Sequence, residues 1–287
     1  MYILLALSVL SASLNSVLLN KSGASKSNTV FEFNVICSIV WCVLLFFANN
    51  CKLNINLQVI IWGTMYGVAQ TCFLIFKTVA MRTGSVSVTT LIGNSSLLIS
   101  TFASLIIWNE PITIADAIGL LLLCVSIFLC TYKKGDAQYS PKWKYYTLFF
   151  FLFATSVGLI FKGFGKSGNL EYCGDMMFFS AIIMTCSNFI ISCVVKKQRD
   201  ASRTGSKAKR EFLIFALSSG VLSCLYNRLN IFLAGSIDGV VFFPCFNGGV
   251  VLLSTFLSIM ILKEKISNYQ KYGLLAGVIS ICVIGIL

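Results

Sequence analysis

Polar side chains that could bind a small molecule recur at helical spacing inside the apolar segments of this chain. Amides are the most informative, because each carries donors and acceptors that are costly to leave unpaired in lipid. Nine residues are predicted to line a binding cavity: Asn15, Gln70, Thr90, Asn94, Lys162, Tyr226, Asn227, Arg228 and Asn247. For the amides, structural hydrogen bonding between helices is an equal alternative. For the hydroxyl residues, close helix packing is the stronger alternative.

The spacing of these residues places them on single helix faces. On one segment Thr90 and Asn94 lie four residues apart, and on the preceding segment Gln70 and Lys77 lie seven residues apart. Both steps return to the same side of an α-helix. Arg228 follows Asn227 directly and has two interpretations, a substrate-binding guanidinium or an anchor that reaches the lipid headgroups by snorkelling.

The residues that are missing exclude most catalytic chemistry. The chain has no histidine, and none of its ten acidic residues lies near the middle of an apolar segment. Its twelve cysteines form no CxxC pair, so neither a disulfide framework nor a zinc site is supported. An enzyme active site needs converging nucleophile, acid–base or metal groups. We therefore expect no enzyme activity, no cofactor and no bound metal.

The composition predicts an all-α integral membrane protein of the inner or plasma membrane. Of the 287 residues, 57% are hydrophobic and only 11% are charged, whereas soluble domains are about 25% charged. The apolar runs are continuous and have the length of membrane-spanning helices. Ten spans are predicted: 2–19, 31–48, 57–77, 84–107, 113–131, 145–164, 174–195, 212–233, 240–262 and 270–287.

The net charge of +12 follows from basic residues in the loops, so no nucleic-acid partner is expected. All but four of the 22 lysines and arginines lie in loops that follow odd-numbered spans; the four are Lys52, Lys162, Lys166 and Arg228. Basic loops remain in the cytoplasm. This distribution predicts that the loops after odd-numbered spans are cytoplasmic and that both termini face outward.

An internal repeat divides the chain into two five-helix units, 1–137 and 138–287. The segment LLISTFASLIIWNEP (97–111) returns as VLLSTFLSIMILKEK (251–265), and the following spans match at the same offset. Because five is odd, the second unit must enter the membrane upside down relative to the first. Inverted repeats of this kind recur in secondary transporters.

The residues at the end of each unit resemble the EamA-type drug/metabolite transporters. The resemblance rests on LIIWNEPITIADAIGLLLLCVSIFL (105–129) and IMILKEKISNYQKYGLLAGVISICVIG (259–285). In each stretch a glutamate is followed nine residues later by a glycine, Glu110 by Gly119 and Glu264 by Gly273. The resemblance implies a transporter whose central cavity lies between spans three, four, eight and nine, with one and six. The proline common in the fourth span of that family is absent near Asn94.

Two further expectations each concern a pair of residues. Glu110 and Glu264 are interpreted as structural, placed where the next helix begins and negative charge is favourable. Gly273 and Gly277 form a small-residue surface that could pack within the monomer or form a homodimer through the fifth and tenth spans.

The sequence thus favours a permease or exporter of a small neutral, zwitterionic or anionic metabolite, such as an amino acid, working by alternating access. An exporter of lipophilic drugs is the alternative, but a cation exporter needs a buried carboxylate, and the embedded charges here are basic. A membrane enzyme or a scaffold fits the duplication less well.

Overall fold

The protein is described by a computed structural model that covers residues 1–24, 29–84, 86–131, 140–195, 206–262 and 268–286. Within these ranges the chain is helical and no strand occurs. The α-helices are α1 Tyr2–Lys21, α2 Thr29–Ala48, α3 Leu57–Thr83, α4 Val86–Asn94, α5 Ser96–Trp108, α6 Ile114–Thr131, α7 Trp143–Lys166, α8 Cys173–Val195, α9 Ser206–Ser236, α10 Gly239–Leu262 and α11 Asn268–Ile286. A short 3₁₀ helix, Leu170–Tyr172, precedes α8.

Eight helical segments in the described ranges are long and apolar enough to cross a membrane, and α4 and α5 together make one of them. The apolar part of α6, Ile114–Cys130, is shorter. Large apolar side chains point outward along the bundle; Ile106 is 77% exposed and Leu121 69% exposed. A soluble monomer rarely exposes so much contiguous apolar surface, so this exterior suits a lipid bilayer.

Two helices differ from the predicted segments in a way that affects the site. The third predicted segment ends at Lys77, but α3 continues for six residues to Thr83. The fourth predicted segment is divided at Ser95, the residue between α4 and α5. Ser95 keeps a right-handed helical backbone, with φ −66° and ψ −11°, so the interruption is small.

Side-chain caps explain where several helices begin. Asn56 precedes α3, and its side-chain oxygen accepts a hydrogen bond from the Val59 amide at 2.7 Å. Thr113 and Asp116 form a reciprocal capping box at α6: the Thr113 amide donates to Asp116 Oδ2 at 2.9 Å, and the Asp116 amide donates to Thr113 Oγ1 at 3.1 Å. The negative charge at the start of α6 is therefore Asp116.

The core lies between helices from opposite halves of the chain. The main packing pairs are α6 with α11, α2 with α8, α3 with α7, α1 with α9, α3 with α8, and α2 with α9. Matching the helices of the two halves in order relates α1 to α7, α2 to α8, α3 to α9, α4 and α5 to α10, and α6 to α11. Under this exchange α3–α7 becomes α9–α1 and α3–α8 becomes α9–α2, so the packing pattern maps onto itself.

A pair of hydrogen bonds shows the same relation at atomic detail. The Ser126 hydroxyl on α6 donates to the Gly273 carbonyl on α11, and the Ser280 hydroxyl donates to the Gly119 carbonyl; both distances are 2.7 Å. The two serines, like the two glycines, are separated by the offset of the sequence repeat. The earlier residue on α6, Gly119, contacts the later residue on α11, Ser280. The later residue on α6, Ser126, contacts the earlier residue on α11, Gly273. These two helices are therefore antiparallel.

The helix ends form two groups, which we name after one residue each. At the Thr83 end, the Ser140 amide donates to the Thr83 carbonyl at 2.9 Å, joining the end of α3 to the start of α7. At the Glu110 end, the Gly239 amide at the start of α10 donates to Glu110 Oε2 at 2.6 Å.

The two ends are packed differently. At the Glu110 end, α7 and α9 cross so closely that a Cβ atom added to Gly165 would lie 2.6 Å from the Cα atom of Gly235. Small residues allow such close approach of helix backbones. The corresponding helices α1 and α3 show no comparable packing in the described residues, so the Glu110 end is the more tightly closed.

Candidate functional site

A cavity of about 240 Å³ lies inside the bundle between α3, α4, α5, α7, α9 and α10. Asn94 and Ser96, which flank the break between α4 and α5, contribute to the lining. So does the turn of the continuous helix α10 that contains Pro244. Of the predicted binding residues, six line this space: Gln70, Thr90, Asn94, Tyr226, Asn227 and Asn247.

Three polar side chains of the lining are available to a ligand. Among the described residues, Gln70 and Asn94 have no hydrogen-bond partner, and Lys77 has no ion-pair partner. Unpaired amides are costly where they meet only apolar groups. Their side chains border the cavity instead, where water or a solute can satisfy them.

The other amides of the lining are held by the protein. Asn227 accepts a hydrogen bond from the Tyr66 hydroxyl at 2.9 Å, and Asn230 accepts one from Ser8 Oγ at 2.6 Å. Asn247 donates to the Phe243 carbonyl at 3.0 Å. The first two bonds fix α9 against α3 and α1, whereas the bond of Asn247 lies within α10.

Aromatic rings make up much of the remaining wall. Phe73 packs against Phe150 with ring centroids 5.2 Å apart. Phe246 stacks on Phe242 at 5.9 Å and also contacts Tyr226 at 6.4 Å. A flat apolar solute could stack against these rings, because aromatic faces favour offset stacking at such distances.

Three predicted site residues lie outside the cavity lining. Asn15 is half-buried on α1 and accepts a hydrogen bond from Ser219. Arg228 is exposed, because a step of one residue from Asn227 rotates the side chain by about 100° around the helix. Lys162 is completely buried and forms an ion pair.

The partner of Lys162 is Glu110. Lys162 Nζ lies 2.5 Å from Glu110 Oε1 and donates to the Ile237 carbonyl at 3.0 Å. Lys166 Nζ lies 3.9 Å from the same carboxylate oxygen. Glu110 thus joins the end of α5 to α7 and to the first amide of α10, on the Glu110 side of the cavity. Glu110 was predicted to lie at the start of the next helix, α6. In the structure its carboxylate instead accepts a hydrogen bond at the start of α10, in the other half of the chain.

The glycines of α11 also have an observed role. A Cβ atom on Gly273 would lie 2.8 Å from the Cys130 amide of α6, and one on Gly277 would lie 2.5 Å from Leu252 of α10. This surface is covered within the chain and is not free for the predicted homodimer. The second glutamate of the repeat, Glu264, lies outside the described residues.

Helical spacing places Lys77 on the same helix face as Gln70, but Lys77 is not among the nine predicted site residues, because the predicted span ends at it. In the structure α3 continues beyond it, and Lys77 lines the cavity. The aromatic wall was not predicted. The phenylalanines carried no signal of their own, because phenylalanine is abundant throughout this chain.

Comparison with known proteins supplies a fold relationship but no family. No protein-family model matches the sequence, and no curated protein matches it. Chains of solved structures do match, 29 in number. One, described only as the crystal structure of a protein, has a TM-score of 0.75 at 12% sequence identity, covering 99% of this chain and 96% of that chain. At this identity the similarity shows that the fold is shared.

Proposed function

We propose that this protein is a secondary transporter of the inner or plasma membrane that moves a small organic metabolite by alternating access. The observation that carries the proposal is the cavity inside the bundle, in which Gln70 and Asn94 make no hydrogen bond, and Lys77 no ion pair, with any described residue. A purely structural bundle gains nothing from polar groups held in this way. A solute site requires a few such groups in a mostly apolar cavity.

We further propose that the chain crosses the membrane ten times as two inverted five-helix repeats of the EamA type. The reciprocal bonds of Ser126 and Ser280 support this proposal, as does the antiparallel pairing of α6 with α11. Transporters built from inverted repeats place the solute between the halves, beside interrupted helices. The break at Ser95 is an interruption of this kind, and α10, the counterpart in the other half, is continuous but contains Pro244.

The difference between the two ends of the bundle fits one of two access states. The cavity lining reaches Met81, two residues from the end of α3, and therefore extends towards the Thr83 end. The Glu110 end is closed by the crossing of α7 and α9 and by the Glu110–Lys162 pair. If the halves exchange conformations, α1 and α3 close the Thr83 end while α7 and α9 separate.

The experiment is flux through proteoliposomes that contain the purified full-length protein. Vesicles loaded with a mixture of small organic metabolites are expected to lose specific compounds faster than protein-free vesicles, as followed by mass spectrometry. Gln70→Ala and Asn94→Ala should reduce this flux with little loss of thermal stability, because neither amide hydrogen-bonds to another described residue. Asn169→Ala, outside the cavity, is the control.

Asn227→Ala separates binding from structure in the same assay. It leaves the buried Tyr66 hydroxyl without its acceptor, which costs about 1–3 kcal/mol, so it should lower the melting temperature. Equal efflux from protein-containing and protein-free vesicles across the whole mixture would contradict the transport proposal.

A further inference from the structure

Lys77 is the single charged residue among the described residues that line the cavity. Its ammonium nitrogen lies 5.5 Å from the centroid of the Phe73 ring, a cation–π distance. No carboxylate of the described chain pairs with it. Within the described residues no carboxylate neutralises this charge, which is therefore available to an anion.

The contrast with Lys162 makes this position informative. Lys162 is buried close to the same cavity, yet it has its carboxylate and a backbone carbonyl as partners. A lysine needed only for structure in this bundle is thus supplied with a counter-charge. Lys77 lacks one, as expected of a residue whose counter-charge arrives with the solute.

The wall beyond Lys77 suits an apolar ring. Phe73 and Phe150 form one side, and Phe242 and Phe246 form a stacked pair on α10. The cavity holds about 240 Å³, and a cavity of roughly 150 Å³ is enough for benzene. A single ring with a short charged chain therefore fits the available space.

The amides complete the arrangement. Gln70 lies two helical turns from Lys77 on the same face of α3, which is about 10 Å along the helix axis. A solute held by its acidic group at Lys77 extends towards Gln70 and Asn94. The described lining contains no aspartate or glutamate that could accept an ammonium group, so a cationic solute would meet Lys77 and neutral polar groups but no counter-charge.

We propose that the solute is an organic anion, with its acidic group on Lys77 and an apolar ring against the phenylalanine wall. This inference rests on the proposed transport function and narrows its substrate class. Neutral and zwitterionic solutes are disfavoured, because the first leave the lysine charge unpaired and the second add a positive charge beside it.

The test compares four compounds with one phenylpropyl skeleton on purified full-length protein in detergent, using isothermal titration calorimetry. They are 3-phenylpropionate, 3-phenylpropionamide, 3-phenylpropylamine and phenylalanine, which differ in charge. We expect 3-phenylpropionate to bind most tightly, by about tenfold or more, as one hydrogen bond to a charged group provides. Lys77→Gln and Lys77→Met should each lose that factor, while Lys77→Arg keeps most of the binding.

Lys144→Gln is the matched control, because Lys144 is an exposed lysine at the start of α7. Unchanged binding in both neutral Lys77 variants would overturn the inference. So would tighter or equal binding of the amide, amine or phenylalanine, or no binding of the anion to the native protein. The two proposals fail in different experiments. A failed calorimetric test overturns the proposed substrate class but not the transport function, whereas absence of metabolite flux through vesicles overturns the transport function but not the measured binding.

Discussion

Glu110 is the residue whose removal should affect the folded protein most. Its carboxylate faces the fully buried Lys162 and accepts the first amide of α10. Breaking a buried ion pair by removing one partner costs about 3–5 kcal/mol, because the other charge remains buried without compensation. The strength of this effect depends on the burial of both groups, since an exposed pair contributes about 0–1 kcal/mol.

We therefore predict that Glu110→Gln markedly lowers the melting temperature of the purified protein. Glu171→Gln, an exposed carboxylate near the same end of the bundle, should leave it unchanged. The double variant Glu110→Gln with Lys162→Met should recover much of the loss, because it removes the unpaired charge. A single Glu110→Gln variant that melts like the native protein would show that the pair does not hold the helices together.

The amides illustrate how far residue types could be interpreted from the sequence. Helical spacing placed Gln70 and Asn94 on faces that the structure brings to one cavity, because periodicity is a local property. Spacing could not distinguish them from Asn227, whose acceptor is used by a tyrosine 161 positions away. The partner of Lys162 was equally hidden, since ion pairs between distant helices leave no local pattern.

At the scale of helices, the crossing of α7 and α9 is the feature that closes one end. Gly165 and Gly235 bring the two backbones into contact. Only a residue without a side chain fits there, because an added methyl group has no space unless a backbone moves. Overpacking of this kind costs about 1–3 kcal/mol.

Gly165→Ala is accordingly expected to lower the melting temperature, although alanine is the better helix former by about 1 kcal/mol. The melting temperature falls only if α7 and α9 cross in this way in the folded protein. Ser236→Ala, next to Gly235 but exposed, is the control and should have no effect. A Gly165→Ala protein as stable as the native one, or more so, would mean that this end is not closed by the crossing.

Helix positions were predictable from the sequence because long apolar runs determine them, but their ends were not. The predicted end at Lys77 followed the first charged residue, whereas α3 continues through Met81 and Arg82 to Thr83. A lysine stem can lie along a helix inside the bundle and keep its charge at a polar cavity. The predicted helix end therefore placed Lys77 at the edge of its span, whereas in the structure it lines the cavity.

At the scale of the whole molecule, the central claim is that the cavity opens alternately to the two sides of the membrane. The repeat, the reciprocal serine bonds and the unequal ends all support it. The cavity is lined by residues of both halves, from Gln70 to Ser100 and from Phe150 to Asn247, so it belongs to the complete bundle and not to one half.

The most direct measurement is the labelling of a single cysteine at the position of Asn94, in a variant in which the twelve native cysteines are replaced. A maleimide that cannot cross membranes is added to right-side-out and to inside-out vesicles. We expect labelling from both sides, and faster labelling from the side of the Thr83 end, towards which the cavity lining extends. Labelling from one side only, at any reagent concentration that leaves the vesicles sealed, would contradict alternating access.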